Sequence, residues 1–407
     1  MATRLAASVV VISLLSLVVA TIVGVTTGED LADDLNDERL RSTAESAAWD
    51  VAADIGGLEN TTVGFAASRQ AVVAIDEFDD AFTELENTLD EDDYQLELDE
   101  LIEAYRERYL DPLRESGRDV QIRDIAGTSP VAAYLQYEYA IDLGPVVRPA
   151  TIDDADDDTD WTDVHRRVHP VYRDVVARLG LLDLYLVSPA GRVLYTVNKR
   201  PDLGTNLRTG PFSGSVVANT FRRVIDNPDE RAIVSDLRLY DAFPGEAVGV
   251  VGSPIFDDDD ELAGTLLISY SASTLTDLVT ADQTWEAGGL PETGDVYLVG
   301  GVDGTTRSDP RGYLENPTEY LDAAAAAGRL SGDERQQIEA IGTTVLTLSA
   351  VDETVDAGVE RDSSMRSARS ITGGSVLSMT VPVDTESVDW YVVTEVDAAV
   401  AGRGLDD

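Results

Sequence analysis

The sequence contains no cysteine, only two histidines and a single lysine, Lys199. The missing cysteine excludes disulfides, thiolate metal sites and a cysteine nucleophile, so any exported part of the chain must draw its stability from its cores alone. The histidines, His165 and His169, stand at i and i+4 and share a helix face. The residues between them, Arg166, Arg167 and Val168, lack the glutamate of a zinc protease, and no third ligand is evident. Packing beside the following strands is the plainer role for the pair, and no metal or other cofactor is implied. No G-x-S-x-G elbow, P-loop or dinucleotide fingerprint occurs; Gly210-Pro211-Phe212-Ser213-Gly214 only approximates the first. No catalytic residue is assigned, and the chain does not read as an enzyme.

Positive charge is scarce too. Against 77 acidic residues stand 30 basic ones, giving a net charge of −47 over 407 residues. Nucleic acid is therefore not an expected partner, because phosphate binding needs a basic footprint. Self-repulsion on this scale destabilises a compact state in dilute buffer and is screened when molar salt shortens the Debye length to about 3 Å. An acidic, lysine-poor chain of this kind points to a salt-loving source. The run Asp153–Asp160 lacks the glycine and distal glutamate of a calcium loop and reads as a solvated acidic loop.

Residues Leu5 to Val25 are uncharged, long enough as a helix to cross about 30 Å of hydrocarbon. Arg4 precedes them, and Glu29, Asp30, Asp33 and Asp34 follow, which predicts a retained span with the bulk of the chain outside the cell. A helical region is expected over 26–180. Leu40, Ala47, Val51, Ile55 and Leu58 fall at helical spacing, as do Leu98, Leu101, Ile102, Tyr105 and Tyr109, the latter helix stopping near Pro112. Val131 to Tyr139 and Trp161 to Leu179 suggest two more.

Beyond Gly180 the pattern changes to strands. Leu182–Val187 and Arg192–Asn198 flank the turn Ser188-Pro189-Ala190-Gly191. About a hundred residues on, Gly294–Gly300, Val302-Asp303-Gly304 and Thr305–Ser308 repeat the design. Each copy is followed by a hairpin with an acidic turn: Ala247–Phe256 with Leu262–Tyr270, then Ser375–Val383 with Trp390–Val396. Helices are expected over Ser213–Ile225 and Tyr320–Ala340. Two tandem α+β modules with antiparallel sheets follow, over 181–284 and 285–400.

Alternation on the first strand puts Asp183 and Tyr185 on one face and Leu184 and Leu186 on the other. On the next strand Tyr195 and Val197 share a face that Lys199 continues, a compact ammonium kept in a chain that otherwise uses arginine. Asp236 and Tyr240 fall where the chain returns across the sheet. The expected site is thus Asp183, Tyr185, Tyr195, Lys199, Asp236 and Tyr240, converging on a small polar or charged ligand.

At these residues the sequence resembles the double Cache family of extracytoplasmic sensor domains of transmembrane receptors, in a haloarchaeal style. The matching pieces are AYLQYEY from Ala133, VHRRVHP from Val164, LDLYLVSPAGRVLYTVNKRPDLGTNLRTGP from Leu182, WEAGGLPETGDVYLVG from Trp285, TTRSDPR from Thr305 and VDWYVVTEVD from Val388, spanning roughly residues 35 to 400. The resemblance implies two stacked PAS-like modules on a long helix, the first distal from the membrane and holding the ligand, the second proximal. It implies signalling through the helix to a cytoplasmic output, as a homodimer or with a partner signalling protein. Such receptors continue into a second span and an output domain, whereas this sequence stops at Asp407. The competing reading is a cell-surface structural or adhesion protein using such modules as scaffold.

Overall fold

The computed structural model describes residues 35, 37–89, 95–126, 129–140, 149–285, 290–291, 293–350 and 365–401. The expected span, 5–25, lies outside them. Among the described residues no helix is long and apolar enough to cross a membrane.

Helix α1 covers 37–66. Its buried face, Leu40, Ala44, Ala47, Val51, Ile55 and Leu58, has the helical period read from the sequence. Ser68 breaks the run and caps α2 (Arg69–Thr88), its side chain accepting from the Ala71 N–H. Sequence reading passed over α2, although Ala71, Ala74, Ile75, Phe78, Ala81, Phe82 and Leu85 form an apolar stripe; the acids between them mask it. Helix α3 (Gln95–Tyr105) continues through a π-turn (Arg106–Leu110) into α4 (Asp111–Glu115). Pro112 does not stop the helix, because it falls in the first turn of α4, where no N–H is needed. Helices α5 (Pro130–Ala140) and α6 (Asp160–Leu179) follow, α6 ending on Gly180 at φ 64°. The acidic loop before α6 is partly tied down: Asp153 pairs with Arg173, Asp154 with Arg166, and Asp157 accepts from Tyr134.

The rest is α+β with antiparallel sheets. The first sheet holds β1 (Asp183–Val187), β2 (Val193–Thr196), β3 (Ile233–Val234), β4 (Arg238–Leu239), β5 (Ala247–Phe256) and β6 (Leu262–Ser271), in the order β2-β1-β6-β5-β3 with β4 also on β5. Helix α7 (Val216–Asp226) lies within it and α8 (Ala272–Val279) leaves it. The second sheet holds β7 (Asp295–Gly300), β8 (Arg366–Arg369), β9 (Ser375–Pro382) and β10 (Trp390–Asp397), ordered β7-β10-β9-β8. Helices α9 (Arg311–Glu315), α10 (Pro317–Ala326) and α11 (Gly332–Ile341) follow β7, and α12 (Ala398–Ala401) follows β10. The single helix expected over Tyr320–Ala340 is two, divided around Gly328 at φ 75°. Thr305–Ser308 forms bridges from Val299 to Thr306 and from Thr305 to Ser349 rather than a strand.

Both sheets are sandwiched in the same way. One core takes the faces of both sheets that carry Leu184, Leu186, Leu194, Leu298 and Val392, together with α1, α2 and α6. The opposite face of the first sheet, with Tyr185, Val187, Val193 and Leu267, is covered by α3, α4 and α7. That of the second, with Tyr297, Val299 and Val393, is covered by α9, α10 and α11. The long helices thus run along both sheets: Leu40 in α1 accepts from Thr394 of the second sheet at 3.3 Å, and Arg192 of the first reaches Asp79 in α2 at 2.9 Å.

Candidate functional site

The face of the first sheet turned toward α3, α4 and α7 carries a set of buried polar groups among apolar side chains. On β1, Asp183 and Tyr185 point to it, as alternation predicts. Their cross-strand neighbours on β6 add Ser269, opposite Asp183, and Thr265, opposite Val187. Asp183 is wholly buried, and its Oδ1 accepts from the N–H groups of Leu184 at 2.8 Å, Val197 at 2.8 Å and Asn198 at 3.1 Å. It therefore pins the end of β2 to the start of β1. Burial pushes its carboxyl up to about 7, with the nearby Asp202 charge adding to the rise and the three backbone donors opposing it.

Asp202, in the loop after β2, faces the same region and is also wholly buried. The Tyr240 hydroxyl donates to its Oδ2. Burial pushes Asp202 up to about 6, a shift the Tyr240 bond opposes. The loop is held from outside: Gln136 in α5 donates to the Pro201 and Leu203 carbonyls at 2.8 and 2.6 Å and accepts from the Tyr105 hydroxyl at 3.1 Å. Gly204 lets α5 approach; at φ 74°, a Cβ there would lie 2.7 Å from the Ala132 Cα. Tyr105 and Tyr109, edge to face at 5.0 Å, close this side, and Arg200 lies 4.5 Å over the Phe243 ring.

Four buried polar atoms on this sheet face and its adjoining loop make no hydrogen bond of good geometry among the described residues, the Tyr185 hydroxyl, Asp202 Oδ1, Ser269 Oγ and Thr265 Oγ1, although the Tyr185 hydroxyl lies close enough to Ser269 and Asp202 for each pair to interact. Native interiors hold only a few such atoms per hundred residues, because each carries a desolvation cost; the others among the described residues include His165 Nε2 and the Tyr172 hydroxyl on the opposite face. Burial holds the Tyr185 and Tyr240 phenols well above their ordinary range, so both are neutral groups able to donate as well as accept. Tyr240 and Phe212, which belong to this face, also line a cavity of about 600 Å³ that extends toward the second sheet.

Three residues expected at the site lie elsewhere. Tyr195 pairs with Leu186 and Thr196 with Tyr185, so Tyr195 projects to the face of α2 and α6. Its hydroxyl lies 2.7 Å from His169 Nδ1. His169 Nε2 donates to the Ala150 carbonyl at 2.9 Å, which leaves Nδ1 as acceptor. Lys199 goes with Tyr195: its Nζ sits 3.0 and 3.2 Å from the two His169 ring nitrogens, 2.9 Å from the Val197 carbonyl, and under 6 Å from the Tyr139 and Tyr195 ring centres. Burial lowers Lys199 well below the usual lysine range, and His169 falls to about 3 by burial and then the lysine charge. The two histidines stack at 4.3 Å inside the core. The third displaced residue, Asp236, accepts from Arg307 Nε and Nη2 at 2.9 and 2.8 Å and from Trp390 Nε1 at 2.8 Å, all belonging to the second sheet's part of the chain. Asp183, Tyr185 and Tyr240 remain together. Asp202, Ser269, Tyr105 and Tyr109 join them, and sequence reading had given none of these a part in the site.

No family model matches the chain, and no curated protein does. Among solved structures, the chain is similar to the ligand-binding domain of the Pseudomonas aeruginosa amino acid chemoreceptor PctC in complex with GABA, at 14% identity over 61% of this chain and 84% of that one, TM-score 0.36. It is similar to the ligand-binding domain of the Pseudomonas fluorescens chemoreceptor CtaA in complex with L-serine, at 13% identity over 79% and 99%, TM-score 0.36. It is also similar to the sensor domain of the V. cholerae histidine kinase DctB, at 12% identity over 58% and 78%, TM-score 0.33. Likenesses at these identities and TM-scores do not assign the chain to a family.

Proposed function

We propose that the chain is a small-molecule sensor that binds rather than transforms its ligand, on the face of the first sheet built by Asp183, Tyr185, Asp202, Tyr240 and Ser269. The observation that carries this is a cluster of wholly buried carboxyl and hydroxyl groups at that face, several without a well-formed hydrogen bond among the described residues, set among Val187, Leu207, Phe212, Phe221 and Leu267. The hydroxyls there donate as well as accept, and the Asp202 carboxyl adds an acceptor, so the ligand presents a donor such as an ammonium or amide group beside its own acceptors, and an apolar remainder. Tyr185 and Ser269 then gain well-formed bonds.

The long helix supports the same reading. α1 begins against the second sheet and leads to α2 against the first, which makes the first sheet the one farther along the chain from residues 5–25. With that stretch as a membrane span, the first sheet is the outer unit and the second the inner one, both extracytoplasmic. Ligand binding favours one packing of the outer unit on the helices, and about 1.4 kcal/mol of differential affinity moves the population tenfold. A homodimer or a separate signalling protein reads the change. The charge of −47 belongs to a saline setting, so dialysis below about 0.2 M salt unfolds the protein as screening fades.

Thermal-shift screening of the full chain at molar salt, against a panel of amino acids and small primary amines, tests the reading. At least one compound raises the midpoint, and the rise depends on ligand concentration. A panel that leaves the midpoint unmoved throughout, in protein shown to be folded, removes the proposed ligand class.

A further inference from the structure

We propose that the segment from Val234 to Tyr240 transmits the state of the first sheet's site to the second sheet, with Tyr240 as its receiving end and Asp236 as its delivering end. This rests on the sensor reading for its ligand but not for its test.

The two ends are bonded in different bodies of the molecule. Tyr240 donates to Asp202 inside the site, while Asp236, four residues earlier, takes the Arg307 fork and the Trp390 indole N–H. Between them Arg238 and Leu239 pair with β5 over two residues only, Arg238 with Val248 and Leu239 with Ala247. The far end is rigid. Arg307 is 1% exposed, and its remaining donors go to the Thr305 carbonyl at 3.1 Å, Thr305 Oγ1 at 2.7 Å and Asp303 at 3.0 Å. A planar guanidinium committed in this way has no spare donor, so Asp236 cannot shift without moving it or parting from it. Gly300 makes room for the fork, since a Cβ at that position would strike Arg307 Nη2.

The segment also has space to move. Asp236, Leu237, Arg238, Leu239 and Tyr240 form one wall of the 600 Å³ cavity, and Asp303, Arg307 and Leu346 form another. A ligand donor bound at Asp202 Oδ1 draws the carboxyl away from the Tyr240 hydroxyl on Oδ2, and that hydroxyl is buried and must find another acceptor. Ser235, which exchanges bonds with Val250 at 2.9 Å, and the two-residue β4 pairing hold the segment to β5 on either side of Asp236, so the rearrangement passes along Leu237 to Leu239 and arrives at Arg307 and Trp390.

The chain carries a reporter at the delivering end. With 5-fluorotryptophan incorporated in the full chain, the ¹⁹F resonances of Trp49, Trp161, Trp285 and Trp390 are assigned by single Trp→Phe variants. Asp236→Asn, which touches the indole directly, moves the Trp390 resonance by more than a linewidth. Tyr240→Phe and Asp202→Asn, which do not touch it, are expected to move it as well. Tyr172→Phe, which removes an unpartnered hydroxyl on the opposite sheet face, leaves it in place. Should Tyr240→Phe fail to fold, Asp202→Asn, which keeps the shape of the side chain, gives the same answer. A Trp390 resonance that stays put in the folded Tyr240→Phe and Asp202→Asn variants, yet moves in Asp236→Asn, overturns the proposal. Because no ligand is added, that failure leaves the sensor reading standing, and an empty ligand screen leaves this test standing.

Discussion

The two sheets open on nearly the same five residues, Asp183-Leu184-Tyr185-Leu186-Val187 and Asp295-Val296-Tyr297-Leu298-Val299. In both, the aspartate accepts backbone N–H groups from the segment that follows: Asp183 from Val197 and Asn198, and Asp295 from Arg311 at 2.8 Å. In both, the tyrosine projects away from the long helices. The neighbour across the strand pair differs. Ser269 stands opposite Asp183, and Glu395 opposite Asp295. The Ser269 hydroxyl stands beside Tyr185 without a well-formed bond to it, whereas the Glu395 carboxylate accepts from the Tyr297 hydroxyl at 3.1 Å. One frame therefore yields a face that needs a guest and a face that supplies its own acceptor. A repeated motif thus sets geometry, and on the proposed reading a single cross-strand partner decides whether that geometry is open for binding.

The largest effect expected from breaking this comparison is Asp183→Ala. It takes an acceptor from the Leu184, Val197 and Asn198 N–H groups, of which Val197 keeps the Leu184 carbonyl at 3.2 Å, and lowers stability by about 2–4 kcal/mol, while Asp295→Ala, at a less buried position, costs less. Urea midpoints at fixed high salt measure both, and the reverse order would break the parallel. Next comes Glu395→Gln. Burial, and then the Asp295 charge, raise Glu395 to about 7 from its ordinary 4.5. The folded state thus holds this proton more tightly than the unfolded chain, so its contribution is favourable below about pH 4.5 and is lost as pH rises through 7. The glutamine variant lacks that slope. It matches the wild type near pH 4.5 and is more stable by about 2–3 kcal/mol at pH 8, as stability curves at the two pH values will show. Ser269→Ala removes a buried hydroxyl with no well-formed hydrogen bond among the described residues, so it changes stability by less than about 1 kcal/mol while weakening ligand binding. Smallest is Arg69→Ala: its pair with Asp258 is exposed on both sides, and the loss stays under about 0.5 kcal/mol.

Much of the fold was legible because its signals are local. The β5–β6 and β9–β10 hairpins have acidic turns between runs of β-branched and aromatic residues, and Ala247–Phe256 begins and ends where the sequence places it. Asp183 and Tyr185 share a face because alternation within one strand is fixed by the pleat. The relation between strands is not fixed in that way. Tyr195 and Val197 do share a face, but pairing of Leu186 with Tyr195 turns it toward α6, and Lys199 goes with it into the histidine stack. Asp236 left the expected site because its partners, Arg307 and Trp390, lie 71 and 154 residues later, a contact no local pattern announces. Asp202 carries no motif of its own. The nearest signal was Gly204 two residues on, whose close approach to Ala132 brings the loop under α5. Ser269 was visible only as one hydroxyl in a strand of many small residues.

The central claim, that the first sheet's α3–α7 face is the binding face, is tested most directly by isothermal titration. The strongest stabiliser from the amine and amino acid panel is titrated into the full chain, into Asp202→Asn and into Lys199→Met. The account predicts that affinity falls at least tenfold in Asp202→Asn, a loss of about 1.4 kcal/mol, and is unchanged in folded Lys199→Met. Full affinity in Asp202→Asn, with the loss appearing in Lys199→Met, would place the ligand on the opposite face and contradict it.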